Sequence, residues 1–318
     1  MTVELTIFAL SFLVMVAAAR VLPRALSGIA LILHLPEFVV AFVLVAIATS
    51  MPELFIGISS SLQGVPALSF GNIFGANLAN MTFILGIAAI LAKKIPKDGE
   101  VSKQNFFFTA VIAFFPLFLA VDGVISRADG LLLLAVYGIY LAKLFRDRHY
   151  FHKLLRHNIR EPKNLHSRGN VFRQSSVFFA SLALLVGSAL TLVWSARILT
   201  ETYLSSNFFL FGIIFLSIGT TLPELTFVIR AALSKHTDAI VGNALGTVAF
   251  NAAGVVGIVA MLKPIEYTIG REGVLAGFAL FLAFALFYIF MYTGNALRWK
   301  EGAALILLYL AFVYLSFF

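Results

Sequence analysis

Apolar runs of about twenty residues recur along the 318-residue sequence with only short polar breaks between them, and a run of that length is what a helix needs to cross ~30 Å of hydrocarbon. A water-facing fold cannot bury so much apolar surface. Hydrophobic residues make up 61% of the chain and charged residues 12%, with a mean hydropathy of +0.98, whereas soluble domains carry about 45–50% and about 25%. The expected fold class is an all-α integral membrane protein of about ten transmembrane helices. They are placed near 3–19, 36–61, 66–91, 104–121, 126–145, 175–196, 207–230, 237–262, 273–291 and 302–317. The absence of cysteine excludes disulfides and thiolate metal sites. Ala17-Ala18-Ala19 resembles a signal-peptidase site, but no Lys or Arg precedes the first run, which carries Glu4; it is read as a retained helix.

The net charge of +8 is distributed as topology rather than as a nucleic-acid surface. The longest polar break, Arg146 to Arg173, holds eight basic residues against two acids, which puts it in the cytoplasm. With that loop inside, all but four of the 23 basic residues (Arg127, Arg197, Lys263 and Arg271) fall on the cytoplasmic side, and both termini fall outside. The expectation is a multi-pass protein of the cell membrane. Its partners are the lipid bilayer and inorganic cations, without nucleic acid.

The sequence also repeats itself at an offset of 171 residues. AIATSMPELFIG and GNIFGANLAN in the first copy correspond, without a gap, to SIGTTLPELTFV and GNALGTVAFN in the second. The copies lie on helices two and three and on helices seven and eight. A displacement of five helices inverts the orientation in the membrane, so the chain divides into two inverted-topology five-helix repeats, 1–145 and 175–318, joined by the basic loop 146–174. Transporters built this way place their ion and substrate sites near the midplane, where the repeats meet.

Glu53 and Glu224 are related by the repeat, and of the fifteen acidic residues they are the two placed well inside hydrocarbon. A carboxylate there costs several kcal/mol unless it is paired, hydrated or bound to a cation. The alternative, a protonated structural glutamate, is disfavoured because the pair is symmetric. Oxygens cluster around both. Pro52 and Pro223 have no N–H and release the carbonyls of Ala48 and Gly219, and Thr49, Ser50, Thr220 and Thr221 carry hydroxyls that either face a cavity or bond their own backbone. The GxxxG pairs Gly71/Gly75 and Gly242/Gly246 are read as close helix packing. Such packing would bring Asn80 and Asn251 against the carboxylates, as amide ligands or as interhelical glue. Two carboxylates with neutral oxygens make a hard site of charge near −2, suited to Ca2+ with its six to eight oxygen ligands and unsuited to zinc. The six histidines lie in or beside cytoplasmic loops.

These segments resemble the two α-repeats of the sodium/calcium exchanger family, within the cation/calcium antiporter group. TSMPE with GNIFGANLAN, and TTLPE with GNALGTVAFN, match that family's GTSLPE and GN-x-x-GS-x-x-x-N/D pattern in both copies. The resemblance implies a prokaryotic-type antiporter, not an enzyme, exchanging Ca2+ for Na+ by alternating access. In it, the first two-helix unit of each half slides against the remainder. Glu53 and Glu224 would be the central cation ligands, and Thr49, Ser50, Thr220, Thr221 and Asn80 would help line the ion sites. Three positions depart from the pattern: Ala48 stands for a glycine, Ala76 for a serine attributed to a sodium site, and Asn251 for an aspartate of some members, while Thr247 keeps a hydroxyl at the place symmetric to Ala76. No resident cofactor is implied; Ca2+ and Na+ are cargo. The alternatives are a proton-coupled exchanger of Ca2+ or another divalent cation, a cation channel, and a transport-dead sensor.

Overall fold

The computed structural model describes residues 2–32, 50–96, 103–146, 168–234, 237–267 and 270–317. Thr49, most of the first half of the expected second helix and residues 147–167 of the basic loop lie outside them. Ten helical rods are present among the described residues. Helix α1 spans Thr2–Ile32, α2 Met51–Leu62, α4 Lys103–Leu119, α5 Arg127–Arg146, α6 Arg168–Tyr203, α9 Arg271–Thr293 and α10 Trp299–Phe317. Three are interrupted. Helix α3 is Pro66–Ala79, a π-helical turn Asn80–Ile84, and Leu85–Ala92; α8 is Asp238–Ala249, a π-helical turn Phe250–Val255, and Val256–Leu262. Helix α7 runs Phe208–Thr220, with its own π-helical turn at Gly212–Leu216, then bends by 41° into Leu222–Leu233.

Among the described residues, seven helices are long and apolar enough to span a membrane, and the bent α7 makes an eighth. The other two have physical reasons to fall short. Helix α2 is 12 residues long, and α5 carries Arg127 and Asp129 at one end and Lys143 and Arg146 at the other. Both helices that open a half run longer than their apolar runs. Helix α1, expected to stop at residue 19, continues through Arg20, Pro23 and Arg24 to Ile32, and α6 extends to Tyr203 with an i,i+4 pair of Arg197 and Glu201 at 2.8 Å. Charge marks where a helix leaves hydrocarbon, not where its hydrogen-bond ladder ends. On α9 one face, Ala276, Ala279, Leu280, Ala283 and Phe287, is buried, while Val274, Phe278, Phe281 and Ile289 point outward. A helix apolar all round is one that meets lipid on its outer side.

Two short antiparallel ribbons tie the halves together. Strand β1 (Lys94–Pro96), after α3, pairs with β4 (Ala296–Arg298), between α9 and α10. Strand β2 (Val124–Ile125), between α4 and α5, pairs with β3 (Ile265–Glu266), after α8. The 171-residue offset carries β1 onto β3 and the start of β4 back onto β2. The 23-residue α9 runs from β3 to β4, so the ribbons lie at opposite ends of the molecule, as inverted repeats require.

Glycine pairs set the corresponding helix crossings. A Cβ on Gly86 of α3 would lie 2.6 Å from the Gly302 carbonyl oxygen of α10, and one on Gly130 of α5 would lie 2.9 Å from that of Gly257 in α8. The main apolar core is built from α3, α4, α5 and α7 to α10, with no side chain from α1 or α6 among its described members. Those two helices pack on each other, and on α2 and one side of α3 and α7, through separate clusters that include Met15, Leu22, Leu185 and Leu192. Among the described residues the protein is therefore a seven-helix body with α1, α2 and α6 laid along its flank.

Candidate functional site

Proline fixes where the site forms. Pro52 and Pro223 occupy the first turn of α2 and of the second half of α7, where a missing N–H costs nothing. The carboxylates of Glu53 and Glu224 fall in those same first turns, at helix N-termini whose unpaired N–H groups favour negative charge. Pro223 leaves the Gly219 carbonyl without its usual donor, and the bend of α7 falls between the two. Over that break lies Phe12 of α1, so close that a Cβ on Gly219 would sit 1.5 Å from its ring.

Both glutamates are fully buried. Among the described residues, none of their four carboxylate oxygens has a hydrogen-bond partner, and no cluster of three or more His, Cys, Asp or Glu forms around them. The two carboxylates are within electrostatic reach of each other, and Thr220 lies beside Glu53. Helix α2 packs against the π-helical turn that carries Asn251, and the second half of α7 packs against the π-helical turn that carries Asn80. Each carboxylate thus comes from one half of the chain, on a helix segment packed against the asparagine-bearing turn of the other. π-Helical turns are rare and recur at functional sites, because the extra residue re-aims side chains and loosens the local ladder. Here two of them start within a residue of the symmetry-related asparagines.

The expected ligands divide by what their polar atoms do. Many described Ser and Thr hydroxyls bond a carbonyl of their own helix, as Thr200 bonds Ala196 and Thr226 bonds Leu222. Ser50 and Thr247 do not: both are buried, and neither hydroxyl has a partner among the described residues. Asn80 is buried with neither amide atom bonded, and the Asn251 oxygen is likewise without a partner. Thr220 donates to Asn72 Oδ1 at 3.2 Å. Thr220 also reaches the Ser217 carbonyl at 3.4 Å, whereas Thr221 donates only within its own helix, to the Ser217 and Ile218 carbonyls at 2.8 and 3.2 Å. Thr49 lies outside the described residues. Ala76 is buried on α3 and supplies no side-chain oxygen.

Two residues join the site that sequence reasoning had not placed there. Asn72 is one, and its Nδ2 has no partner, like that of its repeat mate Asn243. Their occurrence in both GN pairs was a usable signal. The other is Asn77, which accepts from Asn251 Nδ2 at 3.2 Å and has a valine for a repeat mate. The close packing read into Gly71 and Gly75 is present, a Cβ on either lying 2.2 Å from a carbonyl oxygen of α7, Phe209 or Ile213, but it is not repeated at Gly246, where an added Cβ meets nothing within 4 Å among the described residues.

The sequence model of the family described as sodium/calcium exchanger protein matches residues 3–146 and again 175–318. The chain belongs to the sodium/calcium exchanger family. It is a multi-pass membrane antiporter for cations, not an enzyme. This exchanger is similar to the inner membrane protein YrbG of Escherichia coli (strain K12), with 28% identity over 240 residues covering 73% of this chain and 71% of YrbG. It is also similar to the sodium/calcium exchanger MaX1 of Methanosarcina acetivorans, at 26% identity over the whole of this chain and 99% of MaX1. Its fold is that of the sodium-calcium exchanger NCX_Mj, with a TM-score of 0.63 at 22% identity over 98% of this chain and 97% of NCX_Mj. The H+/Ca2+ exchanger CAX shares the fold, with a TM-score of 0.70 at 17% identity over 98% of this chain and 82% of CAX.

Proposed function

We propose that this protein exchanges Ca2+ for Na+ across the cell membrane by alternating access, with Glu53 and Glu224 as the charged ligands of Ca2+. The observation that carries the reading is the pair of buried, symmetry-related carboxylates, which lack a hydrogen-bond partner among the described residues, as do the buried Ser50 and Thr247 hydroxyls and the Asn80 and Asn251 amide oxygens. Asn80, Asn251, Ser50, Thr220 and Thr247 would complete the oxygen shell, with Thr49 and Thr221 beside them. A divalent ion between two carboxylates offsets the cost of burying both, which neither lipid nor a neutral amide can do. Helices α1 and α6, the first of each half, lie outside the main apolar core and meet α3 and α7 through a smaller flank cluster, which supports a sliding of the first two-helix unit of each half against the rest. No resident cofactor or nucleic acid takes part; the cations are substrates and the bilayer is the solvent.

A proton-coupled exchange is the second reading, and Ala76 favours it. If the family's serine at this position is a sodium ligand, its methyl side chain leaves that site one oxygen short, while Thr247 keeps a hydroxyl in the other half. A monovalent ion gains little from each ligand, so a missing one weakens binding steeply. Ca2+ flux into proteoliposomes under Na+, K+ or H+ gradients imposed singly tests the coupling. Ala76→Ser should lower the Na+ concentration for half-maximal Ca2+ efflux about three- to tenfold, the worth of one oxygen ligand of ~1 kcal/mol. Equal Na+ dependence in both proteins would refute the missing-ligand account, and wild-type flux that ignores Na+ but follows pH would establish the proton-coupled reading.

In the orientation we propose, both termini lie outside and the 146–174 loop lies in the cytoplasm. The native chain has no cysteine, so labelling is clean. An impermeant thiol reagent added to intact cells should modify Thr202→Cys and spare Asn164→Cys; the reverse pattern would invert the topology.

A further inference from the structure

Asn77 and Val248 occupy equivalent places in the two copies, 171 residues apart, and they touch: Asn77 Nδ2 donates to the Val248 carbonyl oxygen at 3.5 Å. A contact between a position and its own repeat mate lies on the axis that relates the halves. On that axis the duplication is broken, because one copy presents an amide and the other an isopropyl group.

The break propagates to the ligands. An amide can turn either its oxygen or its NH2 toward a cation, and only the oxygen binds it. The Val248 carbonyl accepts and cannot donate, so it holds Asn77 with Nδ2 toward itself and Oδ1 away. That Oδ1 accepts from Asn251 Nδ2 at 3.2 Å, which leaves Asn251 Oδ1, buried and with no partner among the described residues, as the atom free to bind. In the other half the equivalent neighbour of Asn80 is Val248, whose side chain has no acceptor. Accordingly neither amide atom of Asn80 has a partner among the described residues.

We propose that Asn77 is a positioning residue that locks the Asn251 amide with its oxygen toward the transported cation, so that the two halves present one preset and one freely turning amide ligand. This rests on the functional reading above, in which Asn251 meets the ion. Asn77 does not itself touch the ion; it acts through Asn251. The asymmetry makes Asn251 the ligand that binds without reorienting and Asn80 the one that must turn.

Direct Ca2+ binding to purified protein in detergent tests this independently of the coupling ion. Asn77→Val copies the residue of the other half and should weaken Ca2+ binding about fivefold, the worth of one lost amide hydrogen bond. Two further proteins separate positioning from packing. Asn77→Val/Val248→Asn moves the amide across the axis, where it can hold Asn80 instead, and should recover most of the affinity. In an Asn251→Asp background either oxygen can face the ion, so adding Asn77→Val should change affinity less than about twofold. A folded Asn77→Val protein that binds Ca2+ as the wild type does would overturn the proposal. So would an equal loss in the Asn251→Asp background, which would mean that Asn77 acts by packing or as a ligand. Wild-type protein that binds no Ca2+ would sink the functional reading and this inference with it.

Discussion

Glu53→Gln and Glu224→Gln should each abolish Ca2+ exchange, while each purified protein stays folded and melts at or above the wild-type temperature. The two outcomes have one cause. A buried carboxylate with no partner costs the empty protein several kcal/mol, and glutamine removes that charge while keeping the shape. For the ion the balance is opposite. A unit-charge pair about 4 Å apart is worth on the order of 4 kcal/mol at an effective dielectric of about 20, and a divalent ion doubles it. Losing one of two carboxylates should therefore lower Ca2+ affinity by at least two to three orders of magnitude, beyond what an amide oxygen returns. Flux into proteoliposomes and thermal unfolding on the same preparation measure both halves. Wild-type flux in either variant would remove that glutamate from the site.

What the sequence made legible was whatever leaves a mark in residue type. Charged residues and prolines bracket most of the helices, so α3, α4, α5 and α8 begin and end within about two residues of expectation. The glutamates announced themselves because a carboxylate in hydrocarbon is costly and this one occurs twice. The π-helical turns at Asn80 and Asn251 leave no such mark. One extra residue per turn shifts an amphipathic stripe, but these segments are buried on every side and have no stripe to shift. The ribbons are two or three residues long and lie in stretches that read as loop. Asn77 carries no such paired mark, because its repeat mate is a valine. The hydroxyl of Thr221 could not be told from that of Ser50 by type, and only the helix geometry separates one that bonds its own backbone from one that does not.

The second large effect belongs to the crossing of α3 and α7. A Cβ at Gly71 would lie 2.2 Å from the Phe209 carbonyl oxygen and 2.9 Å from its carbon, and the reciprocal Gly212 meets the Leu68 carbonyl oxygen at 2.2 Å. Backbone atoms cannot swing aside as a side chain can, so Gly71→Ala must push the helices apart. Overpacking of this kind costs ~1–3 kcal/mol or more, and it also opens the contact between Thr220 and Asn72 one residue along. Gly71→Ala should therefore lower the melting temperature by several degrees and impair Ca2+ binding together. Gly138→Ala on α5, where an added Cβ meets nothing within 4 Å among the described residues, is the matched control; it should be neutral or stabilising by up to ~1 kcal/mol, because alanine is the better helix former. Equal melting of the two variants would show that α3 and α7 can separate at no cost.

The two ribbons have a consequence for how this chain can be divided. Each half owns one strand at either end of the molecule, and both strands find their partner only in the other half. A single five-helix half made alone would carry two bare strand edges, one on each side of the bilayer, with nothing of its own to close them. A second copy of that same half, inserted upside down, would close both, because the two ribbons are the same pairing met from opposite directions. Cut in its basic loop, the chain should therefore reassemble from separately expressed halves that face opposite ways, and two halves facing the same way should find no partner edge at all.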